Sequence, residues 1–336
     1  MRLFERKEKS LGNVHRCQKP IRLEVGTYSA GGRLLFVEDV CNMTEPYEKV
    51  QEYSLDYLKK PYLASHSDDK CDACSIVESL MEVNLALSFV GDSLTRQSIA
   101  GLECELLRRG YMVRSKKVPI TKREGCSWRD CIGDWVVFTV TNPTSMKTAT
   151  LNHFGMYRPD PSNLDLKEII LPHSDIVIFD HGLHWKPTEK SRFAKSMTRY
   201  MNGFEDANLT MLAWRETSAQ HLDSDGGHYG LATKSRKCVP ISADHHAGFR
   251  RPIMQRAAEN AGLRWRSLVE ADFSTQPVDK ERNEIVFLPF RDYTVPLHYL
   301  HPNECTHYCH TPYLWLPLWR SLRIALDRAV SDTTTK

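Results

Sequence analysis

The sequence predicts an α/β fold, a mostly parallel sheet with helices on both faces. Short apolar runs alternate with segments in which apolar residues recur every three or four positions. Such runs are typical of buried parallel strands, and the periodic segments are typical of amphipathic helices. The chain has 336 residues, of which 41% are hydrophobic and 26% charged. This composition favours a folded protein with a sizeable core and excludes a disordered, collagen-like or coiled-coil chain.

The predicted elements alternate from residue 84 onward. Predicted strands cover 84–90, 135–141, 175–179, 209–214 and 284–288. Predicted helices cover 95–109, 189–201, 252–262 and 313–330, and a shorter one covers 47–60. Gly110 stands where a glycine commonly ends a helix. Because parallel sheets bind ligands beyond the carboxyl ends of their strands, the polar residues that follow each strand are the expected location of chemistry.

Two regions are expected along the chain. Residues 1–83 read as an irregular, cysteine-containing N-terminal extension, since glycines and polar runs interrupt any periodicity there. Residues 84–336 carry the α/β pattern and are expected to form the functional domain. A chain of this length is expected to form about two domains, or one large domain with an added segment, which agrees with this division.

Charge and hydropathy limit the possible partners. The net charge of +3 is too small to select nucleic acid by charge alone. No apolar run approaches the roughly 18 residues that a membrane-spanning helix needs, so no membrane segment is expected in the chain as given. The basic N-terminus is followed by no apolar stretch and does not read as a signal peptide.

The cysteines and sequons favour an oxidising secretory compartment. The chain has 10 cysteines and two N-glycosylation sequons, at Asn42 and Asn208. At least two disulfides are expected; the candidates are Cys104, Cys126, Cys131, Cys305 and Cys309. Free buried thiols remain an alternative. A zinc site is a further alternative. It would combine the Cys-x-x-Cys pair at 71–74 with the cysteines and histidines near the C-terminus.

A candidate nucleophile stands between the first predicted strand and the helix that follows it. The segment Gly-Asp-Ser-Leu ends in Ser93 and Leu94, and Gly91 permits a tight turn there. A serine at this turn would direct its hydroxyl out of the sheet edge, and the helix N-terminus could stabilise an oxyanion. The alternative is that Asp92 or Ser93 only caps the helix.

A second polar block lies before the last predicted helix. It contains Glu304 and, three residues later, His307. A histidine placed beside a serine can accept its proton, and an acid can fix the tautomer of that histidine. We therefore expect Ser93, His307 and Glu304 to act as nucleophile, base and orienting acid.

Four blocks of the sequence resemble the PC-esterase branch of the GDSL/SGNH superfamily, whose plant members are the trichome-birefringence-like polysaccharide O-acetyltransferases. The first block, 85–107, has the Gly-Asp-Ser-Leu serine, an arginine three residues on (Arg96) and a cysteine eleven on (Cys104). Residues 180–185 stand in place of the family's Asn-Thr-Gly-His-Trp. Residues 215–221 match Arg-x-x-Ser-x-x-His and precede a Gly-Gly pair at 226–227. Residues 304–309 stand in place of Asp-Cys-Ser-His-Trp-Cys.

This resemblance implies an α/β/α sandwich of SGNH-hydrolase type and acyl transfer through an acyl-enzyme on Ser93. The acyl group, acetyl in the plant family, would go to a carbohydrate hydroxyl or to water, with no cofactor. The resemblance also implies a place in the Golgi lumen. Residues expected at the oxyanion hole or substrate site are Asp180, Gly182, His184, Arg96, Arg215 and His221.

The chain departs from the family pattern at two positions. Glu304 replaces the family aspartate, and Asp180 replaces the asparagine that donates to the oxyanion. An ionised aspartate only accepts hydrogen bonds, so Asp180 would have to be protonated, or His184 or Arg215 would have to donate instead. In the superfamily a glycine is the second donor to the oxyanion, and the candidates for it here are Gly125, Gly133 and Gly155. A catalytically inactive carbohydrate-binding relative is therefore the alternative function.

Overall fold

The computed structural model describes most of the chain. The described residues are 45–64, 71–121, 130–159, 162–224, 227, 238–241, 249–270, 273, 284–301, 305–309, 311 and 313–334. The strands are β1 Ala86–Gly91, β2 Met112–Val118, β3 Asp134–Thr141, β4 Thr148–Gly155, β5 Ile176–Asp180, β6 Met211–Arg215, β7 Arg264–Ser267 and β8 Glu284–Leu288. The helices are α1 Glu45–Tyr57, α2 Pro61–Ala64, α3 Asp72–Val83, α4 Ser93–Arg108, α5 Lys190–Asn202, α6 Arg250–Asn260, α7 Arg291–Thr294 and α8 Leu316–Thr334. Single turns of other helix types cover Leu166–Ile170, Leu171–His173, Pro187–Glu189 and His298–Leu300.

Within the described residues the strands form one mixed sheet of eight, in the order β2-β3-β4-β1-β5-β6-β8-β7. Six neighbouring strands of this order are parallel, namely β4, β1, β5, β6, β8 and β7. Strands β2 and β3 add an antiparallel extension beside β4. The expected α/β class is confirmed at this level. The carboxyl ends of β1, β4 and β5 meet at one edge, because Gly91 pairs with both Gly155 and Asp180.

Alternate residues of the central strands enter two separate hydrophobic cores. In β5, Ile176 and Ile178 join a core that also contains side chains of α3, α4 and α8. Val177 and Phe179 join the core that contains side chains of α5 and α6. Because successive side chains of a strand point to opposite faces, the sheet is covered by helices on both faces.

Helix α3 corrects the expectation that residues up to 83 are irregular. Its apolar side chains at 76, 77, 80 and 81 are spaced for one helical face and are buried in the α8-side core. Asp72 at its first position accepts hydrogen bonds from Arg320 at 2.7 and 2.8 Å and from Arg323 at 3.2 Å. A buried ion pair and a shared core therefore join α3 to α8.

Each predicted strand and helix is present, with ends shifted by a few residues. Gly110 has a φ of +89° directly after α4, as a helix-ending glycine should. The sequence pattern missed β2, β4 and β7. Strand β4 is central, yet it carries polar residues such as Asn152, whose amide donates to Ser88 Oγ at 3.3 Å and His173 O at 2.9 Å. A buried polar group that is satisfied in this way interrupts the apolar pattern without interrupting the strand.

The disulfides change the interpretation of the C-terminal cysteines. Cys238 is bonded to Cys305, and Cys71 to Cys74. Cys104, Cys131 and Cys309 are disulfide-bonded as well, whereas Cys126 lies outside the described residues. The expectation of at least two disulfides is confirmed. The alternative zinc site would use Cys71, Cys74, Cys305 and Cys309 as thiolates, and all four are in disulfides.

Disulfides at these positions are compatible with a lumenal or secreted protein. Among the described helices, none combines the length and apolar character needed to cross a bilayer. The Asn208 sequon is exposed shortly before β6 begins, at the sheet edge opposite Ser93. Asn42 lies outside the described residues.

Candidate active site

Ser93 and His307 meet at the carboxyl edge of the sheet. His307 Nε2 lies 2.6 Å from Ser93 Oγ, although the two residues are 214 positions apart in sequence. Ser93 is 8% exposed, so its hydroxyl lies in a nearly closed site at the first position of α4. This is the contact that a serine nucleophile and its general base require.

The turn that presents Ser93 depends on a glycine. A Cβ at Gly91 would lie 2.3 Å from Thr95 Oγ1 and 2.6 Å from Asp180 O, which leaves no room for a side chain. Asp92 then caps α4, because its Oδ1 accepts from the Leu94 N–H at 2.9 Å. The cap is thus Asp92 and not Ser93, which leaves the Ser93 hydroxyl available to His307.

Asp92 is a buried carboxyl beside the nucleophile. It is 3% exposed, and its Oδ2 has no hydrogen-bond partner among the described residues. Burial, together with the nearby charge of Asp180, raises the pKa of Asp92 to about 7, although Arg215 and the Leu94 N–H act in the opposite direction. Sequence reasoning gave Asp92 only a capping role. Neither its burial nor its neighbours can be read from the local sequence.

Asp180 is an acceptor locked in an ion pair, and therefore not an oxyanion donor. It is fully buried, and its Oδ2 accepts from Arg215 Nη2 at 2.5 Å. Its Oδ1 accepts from Thr217 Oγ1 at 2.6 Å and from the Gly182 N–H at 3.0 Å. Both carboxylate oxygens of Asp180 are thus occupied as hydrogen-bond acceptors. The suggestion that Asp180 is protonated and donates to an oxyanion is not supported by this geometry.

Gly182 and Arg215 serve the same buried network. The Gly182 N–H is held by Asp180, and its carbonyl accepts from Arg250 Nε at 2.7 Å. A Cβ at Gly182 would lie 1.9 Å from Thr217 Oγ1. Arg215 Nη2 also donates to Thr95 Oγ1 at 3.2 Å, and Arg215 Nη1 has no partner among the described residues. Of these groups, Arg215 Nη1 retains donor capacity.

Two other expected substrate residues lie partly exposed. Arg96, in the first turn of α4, has 35% of its side chain exposed and lies 3.3 Å from Asp134 Oδ2. His184 is partly buried, and its ring makes an edge contact with Tyr157 at 4.7 Å between centroids. The Arg96 side chain can therefore reach solvent, as a residue that contacts a carbohydrate must, whereas Nε2 of His184 is buried.

The glycine candidates for a second oxyanion donor differ in position. Gly155 ends β4 and pairs with Gly91, two residues before Ser93. The Gly133 N–H is used, since it donates to Gly155 O at 2.7 Å. Gly125 lies outside the described residues. Of the described candidates, Gly155 is adjacent to the nucleophile turn.

Gln97 holds the segment that carries His307, a role that sequence reasoning missed. Its amide nitrogen donates to Tyr308 O, and its Oε1 accepts from the Tyr308 N–H at 3.3 Å. Gln97 lies one helical turn after Ser93. The nucleophile helix is thereby tied to the residue that follows the base.

The same segment is held from its other side. The Cys238–Cys305 disulfide ends two residues before His307, and the His221 N–H donates to Cys305 O at 2.8 Å. His221 itself is fully buried, with both ring nitrogens in hydrogen bonds to the protein, so it has no group left for substrate. Glu304, the expected acid, lies outside the described residues.

Comparison with known proteins adds no relative: no family model matches the chain, and no curated protein is significantly similar to it. The functional argument therefore rests on the geometry at Ser93 and on the sequence motifs.

Proposed function

We propose that the protein is a serine-dependent O-acyltransferase or esterase that acts on O-acyl carbohydrate, with acetyl as the expected acyl group. The observation that carries the proposal is the 2.6 Å contact between Ser93 Oγ and His307 Nε2. The buried helix-start position of Ser93 supports it, because the first N–H groups of a helix have no intrahelical acceptor. The finer fold assignment, an SGNH-type three-layer sandwich, belongs to the same proposal.

The chemistry follows from these two side chains. His307 Nε2 takes the proton of Ser93 as Oγ attacks the acyl carbonyl carbon, and a tetrahedral oxyanion forms. The oxyanion collapses as the bond to the donor oxygen breaks, and His307 returns its proton to that oxygen. In the second half, a carbohydrate hydroxyl or water gives its proton to His307 and attacks the acyl carbonyl carbon. The second oxyanion collapses as the bond to Ser93 Oγ breaks, and His307 returns the proton to Oγ.

Oxyanion stabilisation is assigned to the start of α4. The Ser93 N–H and the positive end of the helix lie at the nucleophile, and Arg215 adds a buried positive charge nearby. Asp180 is excluded as a donor by its ion pair with Arg215. Glu304 is proposed as the acid that orients His307, on its spacing from His307 alone.

The carbohydrate substrate and a Golgi location rest on the resemblance to the plant O-acetyltransferases. The partly exposed Arg96 supports a polar acceptor, since its guanidinium can donate hydrogen bonds to sugar hydroxyls. The disulfides support a lumenal location.

One observation favours a second candidate, a catalytically inactive carbohydrate-binding relative. The oxyanion asparagine expected from the family is replaced by Asp180, which only accepts hydrogen bonds. In such a protein the pocket would persist, but Ser93 would not form an acyl-enzyme.

Labelling with a fluorophosphonate separates the two candidates. An enzyme should be labelled at Ser93, and Ser93→Ala should abolish labelling. Ser98→Ala is the matched control, because Ser98 is a buried serine of the same helix whose Oγ donates to Thr95 O at 2.7 Å. Absence of label in folded wild-type protein would favour the binding protein. Release of acetate from a panel of acetylated polysaccharides then identifies the substrate.

Two further variants test the roles within the proposed triad. His307→Ala should lower turnover of an aryl acetate by about three orders of magnitude, because His307 moves the proton. Glu304→Gln should cost about ten- to a hundredfold, because Glu304 only orients the base. Glu304→Asp should keep activity. If both Glu304 variants match wild type, another group orients His307.

A further inference from the structure

A buried chain of hydrogen bonds connects the backbone of His307 to the segment before the His298–Leu300 turn. His301 Nδ1 lies 2.6 Å from His307 O, and His301 Nε2 lies 2.7 Å from His221 Nδ1. His221 Nε2 lies 2.8 Å from Val295 O. His221 is fully buried and His301 is 8% exposed.

The two carbonyl groups at the ends determine the proton count of this chain. A carbonyl oxygen only accepts, so His301 Nδ1 and His221 Nε2 must both carry hydrogen. A neutral imidazole has one N–H. If both rings are neutral, each donates that single N–H to its carbonyl oxygen and has none left for the other ring. The remaining nitrogens, His221 Nδ1 and His301 Nε2, would face each other as two acceptors at 2.7 Å. One additional proton makes this contact a hydrogen bond.

The surroundings assign that proton to His301. The pKa of His221 is lowered to about 3, first by burial and then by the charge of His301, with smaller contributions from His298 and Arg291. His221 is therefore the neutral partner. His301 is less buried, and its ring lies against Tyr308, with the ring centroids 4.4 Å apart. Among the described residues, His298, 6.2 Å from His221 between centroids, and Arg291 also face the pair.

We propose that His301 is an imidazolium whose two N–H groups tie the His307 backbone to His221 and thereby position His307 beside Ser93. His301 and His221 are positioning residues, because their ring hydrogen bonds join the two rings to each other and to the backbone carbonyl groups of His307 and Val295. The catalytic consequence rests on the function proposed above, but the proton count does not.

A pH dependence follows from the chain. At low pH the shared proton is present and all three bonds are made. As pH rises and His301 loses the proton, two lone pairs face each other and one bond must break. The His307 segment is then held by fewer contacts. The rate of Ser93 acylation should therefore decline at high pH, separately from its rise as His307 itself becomes neutral.

A pair of His221 variants tests this positioning role. In His221→Asn the amide can place an N–H where Nδ1 was, so it can donate to neutral His301 without the extra proton. We expect labelling at about the wild-type rate, with no decline at high pH. His221→Leu has no such donor or acceptor, and we expect labelling to slow by about 10- to 100-fold with unchanged reagent affinity. Equal behaviour of the two variants would overturn the positioning role.

Nitrogen-15 spectra of wild-type protein labelled at histidine test the proton directly and need no activity. We expect His301 to carry hydrogen on both nitrogens at neutral pH, with His221→Leu removing that state. A single protonated nitrogen on His301 from pH 5 to 9 would overturn the proposal. If Ser93 fails to label but His301 is doubly protonated, the acyl-enzyme function fails and the histidine chain stands.

Discussion

The side-chain amide of Gln97 is hydrogen-bonded to both backbone polar groups of Tyr308. Gln97 lies on the helix that begins with Ser93, and Tyr308 follows His307. The contact therefore sets the position of the base relative to the nucleophile. Both residues are buried, so water cannot replace the bonds if Gln97 is lost.

Gln97→Leu tests this contact. Leucine has a similar volume but removes both hydrogen bonds that Gln97 makes to the backbone of Tyr308. We expect the free energy of unfolding to fall by about 1–3 kcal/mol. We expect Ser93 labelling to slow by about 10- to 100-fold, because the base is displaced. Ser98→Ala, which removes one buried bond of the same helix, is the control for stability. A labelling rate equal to that of Ser98→Ala would contradict the role of Gln97.

Asp92 should make stability depend on pH. Its pKa is raised above the unfolded value, to about 7, so the folded protein binds this proton more tightly. The stabilisation is complete below the unfolded pKa of about 4 and is lost as pH rises toward 7. Asp92→Asn keeps the acceptor for Leu94 and has no proton to lose. Denaturant unfolding at pH 4, 5.5 and 7 should show this variant gaining stability relative to wild type as pH rises. A constant difference would show that the pKa of Asp92 is not raised.

Asp180→Asn should lower the free energy of unfolding. It should not restore the oxyanion donor that the family has at this position. The change removes the charge partner of buried Arg215, and breaking a buried pair costs about 3–5 kcal/mol. Asp134→Asn is the matched control, because it breaks the more exposed Arg96 pair, worth at most about 1 kcal/mol. Chemical denaturation of both variants measures the difference. A rise in acylation rate in folded Asp180→Asn would contradict the locked ion pair.

Loss of the Cys238–Cys305 disulfide should affect both stability and the site. The bond closes a loop with a sequence separation of 67, for which loop entropy gives about 4 kcal/mol. Replacing both cysteines by serine should also slow Ser93 labelling, because Cys305 is two residues from His307. The same replacement at Cys71 and Cys74, which are three residues apart, should cost about 2 kcal/mol and leave the labelling rate unchanged. Equal effects of the two double variants on labelling would contradict the positional role.

The sequence by itself determined the features that depend on local patterns. Apolar runs and helical periodicity predicted the central strands and the helices beside them. The Gly91 turn placed Ser93 at a strand–helix junction, and the later block supplied His307. Such patterns are readable because burial of one face repeats with the period of the element.

Only the tertiary structure decided how the polar residues are used. Asp180 is an ion-pair acceptor because β5 and β6 lie side by side and bring Arg215 to it. Gln97 reaches Tyr308, and His301 reaches His221, across separations of 211 and 80 residues. Strand β4 escaped detection because its polar side chains find partners only once the sheet has formed. A polar side chain's role depends on the partner that satisfies it when buried, and that partner is set by the packing of distant segments.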